Sequence, residues 1–140
     1  METIIQKTTV TFNAPIDKVW QGLTDPAIVR QYFFGTELES DWKVGGPIIF
    51  SGEWEGHKYK DGGVILEIDP PKLLKYTYWS SMSGTEDKSE NYNNITYKLN
   101  DADDVTTLVI TQDGVKSQEA AEHSEQNWKG VFNGLKKIIE

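Results

Sequence analysis

The chain has 140 residues, about the length of one ordinary domain, and its 14 basic and 22 acidic side chains give a net charge of −8. Because it contains no Cys, it lacks the residues for disulfide scaffolds, thiol catalysis, iron–sulfur clusters and cysteine-based zinc sites. Nucleic acids and anionic membranes would repel so acidic a surface, so neither is expected as a partner.

The start of the chain does not have the pattern of a signal peptide, because residues 1–7 form neither a basic segment nor an apolar core. Apolar runs reach only three or four residues, whereas a membrane-spanning helix needs roughly 20. We therefore expect a cytoplasmic protein without membrane insertion. No internal repeat or linker divides the sequence, which predicts a single domain over residues 1–140.

The first predicted element is a half-buried strand over residues 3–12, where apolar and polar side chains alternate. Asn13 is a candidate helix cap and Pro15 suits a first helical turn. The helix expected next has an apolar stripe at helical spacing, formed by Ile16, Val19, Trp20 and Leu23. Asp25 and Pro26 repeat this pattern and predict a second short helix.

The middle of the sequence predicts a meander of antiparallel strands with one covered face. Residues 45–47 form a turn, and a strand continues from residue 48. Asp61, Gly62 and Gly63 indicate either a hairpin turn or a bulge. In residues 64–69 two sets of side chains alternate, and the prolines at 70 and 71 end this strand.

Three later strands are predicted, with a polar loop over residues 80–90 after the first and an acidic turn over residues 100–104 after the second. Their regular alternation indicates one covered face in each strand. The side chains expected on these covered faces are Leu74, Tyr76, Tyr78, Ile95, Tyr97, Leu99, Leu108 and Ile110.

A long helix is predicted over residues 117–139, interrupted only by Gly130 and Gly134, which cost about 1 kcal/mol each relative to Ala. Acidic side chains near its start and basic side chains near its end complement the helix dipole. It is the element expected to cover the sheet. Its apolar stripe consists of Trp128, Val131, Phe132, Leu135, Ile138 and Ile139.

The two halves of this helix differ in side-chain size. The second half carries the bulky apolar residues, whereas the first half offers only Ala120, Ala121, Ser124 and Asn127 along the same stripe. Two interpretations are open. Small residues permit close packing at the dense spacing of protein interiors, or they leave a cavity between helix and sheet.

Residue patterns for catalysis or metal binding do not stand out. His57 and His123 are the two histidines, and neither belongs to a zinc-binding motif. Glu53 and His57 are the side chains that an acid–base pair would use, although exposure to solvent is the commoner state of such residues. We therefore assign no catalytic residue and no metal ligand, and expect no cofactor.

Several short segments, taken in order, resemble a known family. They are Ala14-Pro15, Val19-Trp20, Leu23–Pro26, Tyr32-Phe33, Val44–Gly46, Gly63–Pro71, Leu74, Tyr76, Trp79, Thr107-Leu108, Trp128 and Leu135. Over residues 8–139 the chain is similar to the heat-shock ATPase-activator-homologue branch of the SRPBCC, or START-like, superfamily. Two positions depart from the usual family pattern, in which Trp replaces Tyr32 and Gly replaces Asn127.

This resemblance implies an α+β helix-grip fold: a curved antiparallel sheet wrapped around a long C-terminal helix, with two short helices after the first strand. It also implies a hydrophobic cavity between sheet and helix, with Tyr32, Phe33 and Phe34 near its entrance. The residues proposed to contact a ligand there are Phe33, Phe50, Trp54, Tyr76, Tyr78, Tyr97, Trp128 and Phe132.

Three functions are compatible with these observations. The first is non-catalytic binding of a small hydrophobic or amphipathic molecule. The second is a stress-related interaction protein that acts on a chaperone ATPase, as the resemblance implies. The third is a cavity enzyme of the cyclase or hydrolase kind, which would need a polar pair such as Glu53 with His57 or Tyr97 inside the cavity. Either a monomer or a homodimer fits the sequence.

Overall fold

The computed structural model describes residues 4–33, 35–54, 56–79, 92–115 and 117–140. Within these residues the chain forms seven strands and three helices. In chain order they are β1 (Ile4–Phe12), α1 (Ile16–Thr24), α2 (Pro26–Tyr32), β2 (Glu37–Ser40), β3 (Pro47–Trp54), β4 (His57–Asp69), β5 (Leu73–Tyr78), β6 (Asn93–Ala102), β7 (Val105–Val115) and α3 (Gln118–Ile139). The polar loop predicted over residues 80–90 lies outside the described residues.

The seven strands form one antiparallel sheet in the order β1-β7-β6-β5-β4-β3-β2. From β2 onward each strand pairs with the next strand in the chain, and β1 pairs with β7. Helices α1 and α2 therefore carry the chain from one edge of the sheet to the other. With α3 packed against β1, β7 and both short helices, this arrangement confirms the predicted helix-grip fold.

The short helices begin differently from each other. In α2 the carboxylate of Asp25 accepts a hydrogen bond from the backbone N–H of Ala27 at 2.9 Å, and Pro26 occupies the first turn, as predicted. In α1 the N-cap is Pro15 and no side chain caps the helix. The prediction that Asn13 caps α1 is therefore wrong, because α1 begins too late for Asn13 to reach its free N–H groups.

Gly62 and Gly63 lie inside β4 and do not form a hairpin turn, so that alternative from the sequence is wrong. The chain reverses between Trp54 and His57, which are paired across β3 and β4. Gly62 has a φ of +135°, and a Cβ atom on it would collide with the backbone oxygen of Ile48. The absence of side chains at these two positions thus permits the close approach of neighbouring strands.

The acidic turn joins β6 to β7 more tightly than expected, because β6 continues to Ala102 and pairs there with Val105. The two residues between them, Asp103 and Asp104, have φ values of +52° and +61°. Two left-handed residues are what the type I′ turn of a two-residue hairpin requires, and Asp tolerates that conformation better than most residues.

Helix α3 begins at the N-cap Ser117, whose hydroxyl accepts a hydrogen bond from the backbone N–H of Ala120 at 3.1 Å. Its 22 residues include an apolar stripe that packs into the core, as predicted. The prediction that Ile138 belongs to this stripe is wrong. Its side chain is 38% exposed, because Leu135 and Ile139 take the inward positions of the last turn.

Among the described residues, none of the helices has the length and apolar character that a membrane-spanning helix needs.

Candidate functional site

A partly open cavity of about 440 Å³ lies between the first half of α3 and the inner face of the sheet. Strands β3, β4, β5, β6 and β7, the end of α2 and the following loop all contribute to its wall. Most of the wall is aromatic or aliphatic. These lining residues are Phe33, Phe50, Tyr59, Tyr76, Tyr78, Ile95, Trp128 and Val131.

The cavity lies beneath the part of α3 that carries the smaller side chains. Ser124 and Asn127 line it, Ala121 is buried beside the sheet, and Ala120 is exposed. This concave space therefore lies beneath the half of α3 for which the sequence left two interpretations open, close packing or a cavity.

The eight residues proposed as ligand contacts fall into three groups. Phe33, Phe50, Tyr76, Tyr78 and Trp128 line the cavity. The side chain of Trp54 lies outside the described residues, as does Phe34. The remaining two residues, Tyr97 and Phe132, are not among the lining residues.

Tyr97 and Phe132 are 5% and 1% exposed and pack behind the cavity wall rather than along its surface. The ring of Tyr97 meets those of Trp128 and Phe132 edge to face, at centroid distances of 6.1 Å in both pairs. Trp128 and Phe132 stack at an interplanar angle of 7°. Tyr97 and Phe132 therefore support Trp128, which presents its own ring to the cavity.

Six aromatic side chains along and behind the wall form a closed circuit of ring contacts, with centroid distances from 5.6 to 6.3 Å. Pairs of this geometry contribute about 0.5–1.5 kcal/mol each beyond the area they bury. Because every ring has two ring neighbours, the wall is held in place without a ligand. In order around the circuit the residues are Tyr32, Phe33, Phe50, Tyr76, Tyr97 and Phe132.

Three buried tyrosine hydroxyls are paired with one another or with the backbone. Those of Tyr76 and Tyr97 lie 2.8 Å apart, and that of Tyr32 donates to the carbonyl of Gly22 at 2.8 Å. Burial raises the pKa of Tyr76 and Tyr32 well above the usual value, and the neighbouring Tyr97 adds to this effect. Burial also raises the pKa of Tyr97 to about 12, although its hydrogen bond with Tyr76 opposes the shift. These hydroxyls are therefore neutral near pH 7.

Tyr78 donates a hydrogen bond to the carboxylate of Asp61, across 3.1 Å. Burial first, and the negative charge of Asp61 second, raise the pKa of Tyr78 far above its usual range. On the same side of the cavity the hydroxyls of Thr36 and Tyr59 share a hydrogen bond. Among the described lining residues only Asp61 carries a charge, so the cavity has an apolar wall with one acidic border.

Eight lining residues are absent from the proposed ligand contacts. Ile95, Ser124, Asn127 and Val131 were at least expected along the covered face of β6 or the inward stripe of α3, whereas the other four were not assigned to either. For Gln112 a signal existed: it continues the two-residue spacing of Leu108 and Ile110, so strand parity alone places it on the covered face. Nothing in the local pattern distinguishes the other three from ordinary surface residues. The four residues are Thr36, Tyr59, Asp61 and Gln112.

The polar pair that an enzyme would need is not assembled. Glu53 and His57 are both exposed and do not line the cavity, while Tyr97 is buried behind its wall. His123 is exposed on α3. Within the described residues, no three His, Cys, Asp or Glu side chains come together as metal ligands would.

The antiparallel sheet, the long covering helix and the cavity between them define a helix-grip protein. The family model described as "Activator of Hsp90 ATPase homolog 1-like protein" matches residues 13–140. The chain therefore belongs to this family of the SRPBCC superfamily, as its sequence motifs predicted. Among proteins of curated function, no relative matches the chain.

Solved structures with the same fold include the solution structure of ChR145 from Cytophaga hutchinsonii, which is 39% identical with a TM-score of 0.85 over 99% of this chain and 95% of that one. CalU16 from Micromonospora echinospora is 19% identical, with a TM-score of 0.70 over 99% and 85% of the two chains. The Aha1 dimer from Colwellia psychrerythraea is 15% identical, with a TM-score of 0.75 over 98% and 96%. The last two similarities show the fold alone.

Proposed function

We propose that the chain binds a small hydrophobic or amphipathic molecule in the cavity between α3 and the sheet, without catalysing a reaction on it. The observation that carries this proposal is the partly open, aromatic-walled cavity of about 440 Å³. Small-molecule sites are typically apolar concave spaces of about 300–1,000 Å³ with a few polar groups that orient the ligand. The cavity fits this description in volume, wall chemistry and polar border.

The aromatic circuit supports the same proposal. A wall that is already ordered by ring–ring contacts loses little conformational entropy when a ligand enters. The paired hydroxyls of Tyr76 and Tyr97 also spare an apolar ligand from covering an unsatisfied polar group. An apolar ring system is therefore the ligand body that this wall accommodates best.

Native mass spectrometry of freshly purified protein is the direct test. The expected result is an added mass that disappears when the protein is denatured. A thermal-shift panel of lipophilic compounds is the companion measurement, because a ligand at about 100 times its Kd adds about 2.7 kcal/mol of stability. The proposal would be contradicted if no added mass is detected and no compound stabilises the protein.

A cavity-filling variant locates the binding. Replacing Ser124 on the cavity side of α3 with Trp is expected to abolish the stabilisation by lipophilic compounds, since the indole would occupy the space. Gln126→Trp places the same side chain on the exposed face of the same helix and serves as the matched control. Equal ligand stabilisation in the two variants would show that binding occurs elsewhere.

A second candidate is an interaction protein that acts on a chaperone ATPase. Its support is the family match over residues 13–140. The test is a pull-down and ATPase assay with a purified chaperone of the Hsp90 class. Binding with stimulated hydrolysis would establish this function. The absence of both binding and stimulation would rule it out. The Ser124→Trp variant separates the two candidates, because a docking surface outside the cavity would tolerate it.

A further inference from the structure

Gln112 is a polar residue in an inward-facing row of β7. It follows Leu108 and Ile110, which are both fully buried, at two-residue spacing. Across the sheet it lies opposite Ile95 of β6 and Gln6 of β1, and it lines the cavity. A side-chain amide costs free energy in such a place unless its polar atoms find partners.

The contact with Trp128 determines which way this amide is oriented. The indole Nε1 of Trp128 donates a hydrogen bond to Oε1 of Gln112 at 3.1 Å. Because an indole N–H can only donate, the oxygen of the amide must be the atom that faces Trp128. The amide nitrogen, with its two N–H donors, is left for another partner. In the described part of the chain it has none, although Gln112 borders the cavity.

Most other polar groups of the wall are already bonded. Tyr78 donates to Asp61, and Thr36 shares a hydrogen bond with Tyr59. The hydroxyl of Tyr76 is paired with that of Tyr97. Gln112 is therefore the described lining residue that combines a held orientation with unused donors.

Two lining residues of α3 offer a weaker alternative. Ser124 and Asn127 make no side-chain hydrogen bond within the described residues, so nothing there orients them. An unoriented side chain must lose rotamer freedom when it binds a ligand, whereas Gln112 has lost that freedom already.

We propose that Gln112 is the specificity-determining residue of the cavity, and that the ligand is an apolar molecule carrying a neutral hydrogen-bond acceptor, such as a ketone, ester or amide carbonyl, which receives the amide N–H. This inference rests on the proposed function. A neutral acceptor is favoured over a carboxylate for reasons of charge. The described lining residues include the acidic Asp61 but no Lys or Arg, and the chain has a net charge of −8, so a ligand carboxylate would be repelled.

The test uses three probes with the same ring system: acetylnaphthalene, ethylnaphthalene and naphthoate, all substituted at the same ring position. Their Kd values are measured by NMR titration of the full chain. Acetylnaphthalene is expected to bind about threefold to tenfold more tightly than ethylnaphthalene, the range that one net hydrogen bond supplies. Naphthoate is expected to bind most weakly of the three.

The variant Gln112→Glu keeps an oxygen for the indole of Trp128 and removes the N–H donors. It is expected to lose the preference for acetylnaphthalene over ethylnaphthalene. The indole N–H resonance of Trp128 reports whether its hydrogen bond persists in the variant. Gln126→Glu adds the same charge on the exposed face of α3 and is expected to keep the wild-type preference.

The outcomes separate the two proposals. If the wild-type chain binds acetylnaphthalene and ethylnaphthalene equally well, the role of Gln112 is overturned while ligand binding in the cavity stands. Tighter binding of naphthoate than of acetylnaphthalene overturns the neutral acceptor. If none of the probes binds, the cavity-binding proposal fails and this inference fails with it.

Discussion

The hydroxyl oxygens of Tyr76 and Tyr97 lie 2.8 Å apart on the neighbouring strands β5 and β6, with both side chains buried. Their rings meet edge to face at a centroid distance of 5.6 Å. Each hydroxyl supplies the hydrogen-bond partner that burial denies the other. The pair thus brings two polar atoms into an aromatic core without leaving either of them unsatisfied.

Removing one hydroxyl of this pair should be more harmful than removing both. Tyr97→Phe leaves the Tyr76 hydroxyl buried without its partner and is expected to lower the free energy of unfolding by about 1–3 kcal/mol. The double variant Tyr76→Phe/Tyr97→Phe is expected to recover part of this loss. Urea unfolding of the two single variants and the double variant measures the coupling, and strictly additive losses would contradict the paired arrangement.

The same tyrosines predict a loss of stability in alkali. Burial raises the pKa of Tyr97 to about 12, and those of Tyr32, Tyr76 and Tyr78 are also raised. Their contribution is fully present below the ordinary tyrosine pKa. Above it the unfolded chain releases protons that the folded chain retains, so stability falls with rising pH, by up to about 1.4 kcal/mol per pH unit for each such tyrosine.

Unfolding free energies measured from about pH 8 to pH 11 check this expectation, a range that begins below the ordinary tyrosine pKa near 10. The matched comparison is the double variant Tyr76→Phe/Tyr97→Phe, which lacks two of the four groups and should show a shallower decline. A decline of equal slope in both proteins would mean that these two hydroxyls do not contribute to it.

Strand patterns predict the fold where only one face of a strand is apolar. In β6 the alternation predicts an inward row of Ile95, Tyr97 and Leu99, and all three are buried. In β4 both faces are apolar: Ile65 is buried, while Val64 is 41% and Leu66 is 37% exposed. Periodicity cannot choose between two apolar faces, and the bulge after Ile65 changes the register as well.

The cavity is harder to predict than the face on which it lies. The aromatic positions of β5, β6 and α3 can be identified from the sequence, but whether a ring reaches the cavity depends on the height of α3 above the sheet. That distance results from packing between elements remote in sequence, and it places Tyr97 and Phe132 behind Trp128. The inward position of Gln112 can be predicted from the alternation of β7. The orientation of its amide cannot, because it depends on where Trp128 lies.

Two glycine substitutions should have opposite effects. Gly62→Ala is expected to lower the free energy of unfolding by more than about 1 kcal/mol, because the new Cβ meets the backbone of Ile48 and the φ of +135° is unfavourable for Ala. Gly130→Ala lies in α3 with open space around the new Cβ, so a gain of about 0.5–1 kcal/mol is expected. Thermal and urea unfolding distinguish the two, and a stabilised Gly62→Ala variant would contradict the close strand approach.

The contact between α1 and α3 predicts that two destabilising substitutions should partly compensate each other. Leu135 is fully buried, and a Cβ added at Gly22 would lie 2.6 Å from its Cδ1. Leu135→Ala is expected to cost about 2–5 kcal/mol through the cavity it leaves. Gly22→Ala alone crowds Leu135 and is expected to cost about 1–3 kcal/mol.

In the double variant Gly22→Ala/Leu135→Ala, the new methyl group at position 22 enters space that the shortened side chain has vacated. The combined loss should therefore be smaller than the sum of the single losses by about 0.5–3 kcal/mol, the range seen for residues in contact. Ile138→Ala on the exposed side of α3 is the control, since it should cost little and show no coupling to Gly22→Ala. Additive losses for Gly22 and Leu135 would show that α1 does not press against α3 at this point.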